Sequence, residues 1–291
     1  MSYTLFIGDY TYSSWSLRGW LLLRRYGIAA QMQLVDFADP AAWEQVRAHP
    51  PARTVPTLLC DDGTVIWDSL AIAEELASRH PDAGIWPADP SLRALARSLA
   101  AEMHSGFVAL RSTCPMNLRQ AFRGLPVTEA LRADLDRIET LWTHALERSG
   151  GPWLAGEYSA ADAFFAPVAA RIAGYDLPVG QIAQDYVNRH LEDGAFRRFR
   201  ALGHACGQEL DRYRQPYPQI PWPGPAPIPA RPVTSGTPVN ERCPYSGEPV
   251  THLMELDGKI WGFCNALCRD KTCADPNAWP DFVALRDRLS G

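Results

Sequence analysis

The chain has no surplus of positive charge: 28 basic residues are outnumbered by 33 acidic ones, for a net charge of −5. With the two signs mixed along the sequence, the charge argues against nucleic acid or anionic membrane as the main partner, because both are held chiefly by clustered Lys and Arg. Long apolar runs are also missing, and no segment approaches the roughly 20 apolar residues of a membrane span. The opening "MSYTLFIGDY" lacks the basic stretch and apolar run of a secretory leader. These absences predict a soluble, cytoplasmic protein. Cysteine is sparse over most of the length, with only Cys60, Cys114 and Cys206 in the first 240 residues, and a reducing compartment disfavours disulfides. Strand signals are absent from Ser91 to about Arg212.

What is present is enough for two domains: 291 residues, 46% hydrophobic, with ten each of Trp, Tyr and Phe. Residues 1–82 alternate strand and helix patterns. "YTLFIG" reads as a strand, Trp15 to Tyr26 as a helix, "QMQLVDF" as a strand and Asp39 to Ala48 as a short helix. "TLLC" and "TVIW" flank an Asp-Asp-Gly turn as a hairpin, and Ser69 to Arg79 closes the unit as a helix. The segment "RHPDAGIWPADPS" is a linker. Residues 90–214 carry apolar residues every three or four positions and predict an all-helical domain. Residues 215–239 hold nine prolines between Gln215 and Pro238, which predicts an extended linker, either a spacer or a strap packed through Tyr217, Ile220 and Trp222. Residues 240–291 form a Cys-rich tail ending in a helix from Trp279 to Leu289.

Three local features of the first domain bear on chemistry. The stretch "YTYSSWS", Tyr10 to Ser16, puts six hydroxyls at a strand-to-helix junction, where unsatisfied N–H groups and the helix dipole favour an anion. By itself it is also ordinary N-capping. "TVPTLL" places Val55 before Pro56 at a strand start, a tight turn that leaves Val55 backbone groups for an extended ligand. In "IWDSLAIAEEL", Asp68 and Ser69 open a helix, an arrangement that holds a carboxylate on N–H groups and an ammonium on Asp68.

In this order and spacing the three resemble the glutathione transferase family over about 210 residues. "YSSWSLRGWLL" is similar to the Ser-type active-site segment, especially "SSC" of the zeta class that includes maleylacetoacetate isomerases. "TVPTLL" is similar to the cis-proline loop, and "WDSLAIAEEL" to the motif for the γ-glutamyl end of glutathione. "PWLAGEYSAADAFFAPVAAR" resembles the family's capping box, with Ser159 and Asp162 bonding each other's backbone. The resemblance implies a thioredoxin-like α/β domain followed by an all-α domain, the glutathione transferase fold, and a homodimer.

It also implies glutathione as co-substrate. A thiol of pKa about 8.5 is roughly 3% thiolate at pH 7; lowering it by about two units, or roughly 2.7 kcal/mol, raises that to about 75%. One charge-assisted hydrogen bond and a helix N-terminus supply that much. The thiolate then attacks an electrophilic, mostly apolar second substrate. The alignment puts Ser13 first as the thiol's partner, with Ser14 next to it and Tyr12 or Tyr10 as alternatives. Trp15 stands where the zeta motif has Cys. Trp15, Arg53, Val55, Pro56, Asp68, Ser69 and His104 are the glutathione-binding set. Tyr12, Arg18 and Arg111 are the substrate set. Arg18 either reaches the site or forms a surface or interdomain salt bridge. His104 and Arg111, two helical turns apart, either meet glutathione or an acidic substrate group, or line a partly solvated face. The implied function is a glutathione S-transferase. A glutathione-dependent isomerase, peroxidase, etherase or dehalogenase, or a non-enzymatic binding protein, are the other readings.

In the tail, "CPYSG" followed by "FCNALC" gives Cys243, then Cys264 and Cys268, and "ADPNAW" follows. This resembles the small treble-clef modules of the YHS and TRASH type. Closed structural zinc takes four ligands, but Ser246 stands where the pattern has its second Cys. Either zinc is held by Cys243, Cys264, Cys268 and one of Cys273 or His252, or the module is metal-free and held by Trp261, Phe263 and Trp279.

Overall fold

The computed structural model describes residues 2–290 and divides into two compact units. The first runs to Leu191 and takes in Leu210–Pro223; the second comprises Glu192–Glu209 and everything from Gly224 onward.

The first unit begins with β1 (Tyr3–Ile7), α1 (Ser14–Arg24), β2 (Gln31–Leu34), a short α2 (Glu44–Arg47), β3 (Thr57–Cys60), β4 (Val65–Trp67) and α3 (Ser69–Arg79). The strand order is β2-β1-β3-β4, with β1 parallel to β2 and antiparallel to β3. Leu5 thus lies between Met32 and Leu58. In α1, Leu17, Trp20 and Leu21 recur at helical spacing and are buried. The peptide between Val55 and Pro56 is cis, as the family likeness implied. Gly19 lets α1 sit against this turn: a Cβ there would lie 2.8 Å from the Cβ of Pro56.

The helical part has α4 (Pro90–Ser105), α5 (Val108–Thr113), a two-residue β5 (Ala121–Phe122), α6 (Glu129–Ser149), α7 (Ala160–Gly174) and α8 (Gln181–Glu192). Every residue of α7 is buried, which explains why its sequence is apolar all round. Its N-terminus is the capping box read from the sequence. Asp162 accepts from the N–H groups of Ser159 (2.8 Å) and Leu154 (3.0 Å) and from the Tyr186 hydroxyl (2.8 Å). Burial pushes its carboxyl up to about 6 in spite of these bonds.

The second unit contains α9 (Gly194–Cys206), then β7 (Ala230–Val233), β8 (His252–Leu256), β9 (Lys259–Phe263), α10 (Ala266–Ala274) and α11 (Pro280–Ser290). The three strands form an antiparallel sheet in chain order. The β8–β9 hairpin turns on Asp257 and Gly258, both at positive φ (51° and 72°) as a primed two-residue turn requires. Trp261, Phe263 and Phe282 fill the core, with Trp261 and Phe282 packed edge to face at 5.2 Å. Arg197 of α9 forms a two-pronged ion pair with buried Asp275 (2.8 and 2.7 Å).

Two boundaries differ from those read in the sequence. The helix α9, placed in the 90–214 helical domain by its periodicity, belongs to the second unit, because Ala201 packs into the tail's core. The 215–239 segment is not a plain linker. Gln219–Ile220 forms a short strand, β6, paired with β5, and its far end supplies β7, an edge strand, a position that tolerates Pro232. Among the described residues no helix is long and apolar enough to cross a membrane.

Candidate active site

The first unit holds a cavity of about 560 Å³, whose lining includes Tyr12, Ser13, Ser14, Trp15, Val55, Pro56, Asp68 and Ser69. Local chain chemistry shapes its floor. Asp9 closes a turn by accepting from the N–H groups of Thr11 (2.7 Å) and Tyr12 (3.2 Å), which carries the chain from β1 into α1. Burial raises the Asp9 carboxyl, and those same N–H groups counter it.

The two serines are placed differently. Ser13 is the N-cap of α1: its Oγ accepts from the Ser16 N–H (3.3 Å) and donates to the Ser16 Oγ (2.7 Å). Ser16 Oγ in turn accepts from the Gly8 N–H at 2.9 Å. Both functions of the Ser13 hydroxyl are therefore engaged within the cap. Ser14, the first helical residue, accepts from Arg171 Nη2 at 3.3 Å, and its own proton has no acceptor among the described residues. The Tyr12 hydroxyl accepts from the Leu210 N–H at 3.3 Å.

At the other end, Asp68 caps α3 with φ of 85°, accepting from the Leu70 N–H (2.8 Å) and pairing with His104 Nε2 (3.1 Å). The Ser69 hydroxyl is buried in the wall of this cavity without a partner among the described residues. A buried hydroxyl without a partner costs free energy unless a ligand satisfies it. Asp68 and Ser69 together thus suit a zwitterionic amino-acid end, with its ammonium on the carboxylate and its carboxylate at the hydroxyl and helix start.

Of the other residues singled out in the sequence, Trp15 and Arg111 line the cavity, whereas Arg53 is exposed and lies outside its wall. His104 stands behind, edge-on to Trp15 with ring centroids 5.2 Å apart. Burial lowers its pKa below 6.5, and Asp68 offsets part of that. Arg18 makes neither of the contacts weighed for it. It is 1% exposed, lies over Trp15 (4.2 Å) and Phe164 (5.1 Å), contacts Met103 Sδ, and has no ion pair among the described residues. Burial, then the fields of Arg171 and Arg111, hold its pKa well below the usual value.

Sequence reading missed Arg171, Tyr213, Phe37 and Trp43, all of which line the cavity. Arg171 had one signal, a basic residue inside an otherwise apolar helix. It is 5% exposed and donates to the carbonyls of Cys114 (2.8 Å) and Pro167 (3.2 Å) as well as to Ser14. Burial, with Arg111 nearby, lowers its pKa to about 10.

In the second unit the sulfurs of Cys243, Cys264 and Cys268 lie within 4.8 Å of one another. Neither Cys273 nor His252 joins them, correcting the fourth ligand read from the sequence. Cys273 follows Cys268 by five residues on α10, which turns it off the shared face, and His252 Nδ1 is bonded to Thr251 (2.9 Å). The residue beside the cluster is Ser246, whose Oγ is 3.2 Å from Cys264 Sγ. All seven cysteines are free. Burial of Cys243 opposes ionisation, but N–H groups of Cys264, Tyr245 and Ser246 together with the Ser246 hydroxyl bring its thiol down to about 7. This donor set fits a thiophilic divalent ion: three thiolates and one neutral oxygen.

Residues 12–79 match the family described as "Glutathione S-transferase, N-terminal domain". The probable maleylacetoacetate isomerase of Caenorhabditis elegans is 36% identical over 99 residues, 34% of this chain and 45% of that protein. Glutathione S-transferase D7 of Drosophila melanogaster is 49% identical over 79 residues, 26% of this chain and 34% of that protein. The chain thus spans less than half the length of these curated relatives. A glutathione transferase homologue from Burkholderia, solved with bound glutathione, is similar with a TM-score of 0.55 and 23% identity over 71% of this chain and 100% of that one. Glutathione transferase Omega 2S from Trametes versicolor, solved with 2,4-dihydroxybenzophenone, has a TM-score of 0.51 and 22% identity over 68% of this chain and 93% of that one. At those identities the structures establish the fold. Residues 12–79 thus match the N-terminal glutathione S-transferase domain, and the first unit has the fold of the solved glutathione transferases.

Proposed function

We propose that the first unit is a glutathione-dependent enzyme that activates the glutathione thiol at Ser14. One observation carries this: on the first turn of α1, in a cavity that also holds Asp68 and Ser69, the Ser14 hydroxyl accepts from Arg171, and its proton has no acceptor among the described residues, which leaves it for a ligand. The γ-glutamyl end binds at Asp68 and Ser69, and the cysteinyl backbone runs past Val55 and cis Pro56. The sulfur arrives at the α1 N-terminus, where the hydroxyl and the helix dipole stabilise the thiolate. Arg171 holds Ser14 in the accepting orientation, and Ser13 caps the helix that presents it. The thiolate then forms a bond to an electrophilic carbon, and the leaving group departs with its electron pair. Transferase activity fits this site directly. Isomerisation by thiolate addition and elimination uses the same groups, and the isomerase of C. elegans keeps that reading open for substrates bearing a conjugated double bond. A homodimer in the cytoplasm belongs to the same proposal.

Turnover of glutathione with 1-chloro-2,4-dinitrobenzene tests it. Ser14→Ala should lower kcat at least about tenfold with little change in glutathione affinity. Unchanged kcat in Ser14→Ala alongside a loss in Ser13→Ala would return the role to Ser13.

The three-thiolate cluster favours a second role for the other unit: a zinc ion held by Cys243, Cys264 and Cys268, with the Ser246 oxygen or water completing four ligands. Stoichiometric zinc in the purified protein, lost in Cys264→Ser, supports this. Its absence after growth in zinc-supplemented medium refutes it.

A further inference from the structure

The cavity lining carries more positive than negative charge. Its lining contains two arginines, Arg111 and Arg171, and one acid, Asp68, already occupied by the Leu70 N–H and His104. Neither arginine has a carboxylate within 4 Å among the described residues. Arg171 uses three of its five N–H donors on Cys114, Pro167 and Ser14, which leaves two. Arg111 reaches the His104 and Gly106 carbonyls only through Nη1, at 3.4 and 3.5 Å, and lies 4.9 Å from the Trp15 ring centre. Arg171 is buried and Arg111 half-buried, and holding guanidinium away from water without a counter-ion is costly, so the pair suits an anion.

The same cavity has a flat aromatic edge. Tyr213, from the segment that returns to the first unit after α9, stacks on Tyr12 with ring centroids 4.2 Å apart and planes 14° from parallel. Arg212 holds it there, with its guanidinium 5.2 Å from the Tyr213 ring and 5.4 Å from that of Phe37. An aliphatic substrate gains nothing specific from such a surface; a flat conjugated one stacks on it.

We propose that the second substrate is a flat, conjugated or aromatic electrophile bearing a carboxylate, which Arg111 and Arg171 bind while its ring packs against the stacked Tyr213–Tyr12 pair. The inference rests on the glutathione reading above and refines it. It replaces a mostly apolar substrate with an amphipathic anion, and assigns Arg111 and Tyr213 as specificity-determining residues.

The test compares 4-chloro-3-nitrobenzoate with its neutral amide, each with glutathione. In both, the thiolate sulfur forms a bond to the chlorine-bearing carbon, the carbon–chlorine bond breaks with its electron pair going to chloride, and the thiol proton passes to solvent. After correction for uncatalysed rates, kcat/KM should favour the benzoate by about tenfold or more. Arg111→Gln should bring the ratio towards one, and Tyr213→Leu should raise KM for the benzoate several-fold. Parity in the native protein, or a ratio unmoved by Arg111→Gln, overturns the inference and leaves the glutathione reading standing. If neither compound is conjugated, the glutathione reading fails. Binding of 4-nitrobenzoate against 4-nitrobenzamide, followed by tryptophan fluorescence, then decides the inference: preference for the acid sustains it and equal binding overturns it.

Discussion

Ser14→Ala should raise the pKa of protein-bound glutathione, and Ser13→Ala should not. The Ser14 hydroxyl accepts from Arg171 and keeps its proton; a thiolate accepting that proton gains a charge-assisted hydrogen bond of about 1.5–3 kcal/mol. At about 1.36 kcal/mol per unit, losing it moves the thiol up by roughly 1–2 units. If the native complex has a thiol near 6.5, about three-quarters is thiolate at pH 7; in Ser14→Ala that falls to about a quarter or less. The dipole of α1 remains and keeps the shift from being larger. Ser13→Ala removes the cap instead. It costs about 1 kcal/mol of stability and leaves Ser16 Oγ without the Ser13 proton, with the thiol unmoved. Ultraviolet difference absorbance of bound glutathione across pH reads the thiolate directly, and the pH profile of kcat/KM should shift alongside it. A thiol raised by Ser13→Ala and untouched by Ser14→Ala would refute the reasoning.

Other outcomes follow from buried groups. His190 is buried between Trp153 and Tyr186 with its pKa pushed down to about 3. Unfolded, it protonates near 6.5, so its contribution to stability is intact above that pH and is lost as pH falls towards 3, at up to about 1.4 kcal/mol per unit. Urea midpoints at pH 7.5 and 5 should therefore differ less in His190→Phe than in the native protein. Asp162→Ala strands the buried N–H groups of Leu154 and Ser159 and the Tyr186 hydroxyl; thermal melts should report a loss of about 3–5 kcal/mol. Ser246→Cys should close the cysteine cluster with a fourth thiolate and slow zinc release to a chelator, read as the rate of a colorimetric zinc indicator.

Most of the first unit was legible because its signals are local. The strand before α1, the turn at Val55 and Pro56, the Asp68 cap and the Ser159–Asp162 box are each set by residues within a few positions of one another. The misread parts depend on distant partners. Periodicity identifies α9 as a helix but cannot say that Ala201 packs with Trp261 and Phe282. Proline content marks 215–239 as extended but not that Gln219–Ile220 pairs with β5 and Ala230–Val233 with β8.

The same distinction decides the site. Two ionisable residues interrupt the apolar sequence of α7, Asp162 and Arg171. Asp162 was readable because one partner, Ser159, is three positions away and forms a known cap. Arg171 was not, because its partners Cys114 and Ser14 lie 57 and 157 residues away. In the proposed mechanism the identity of the thiol's partner rests on that longer contact: "YSSWS" offers both Ser13 and Ser14, and the motif likeness ranks Ser13 first. The hydrogen bond from Arg171 separates them, since it leaves one serine holding a helix end and the other with a proton to give. Replacing Arg171 by Met should therefore weaken the distinction itself, releasing Ser14 to other rotamers and broadening the thiol titration without unfolding the α1 cap.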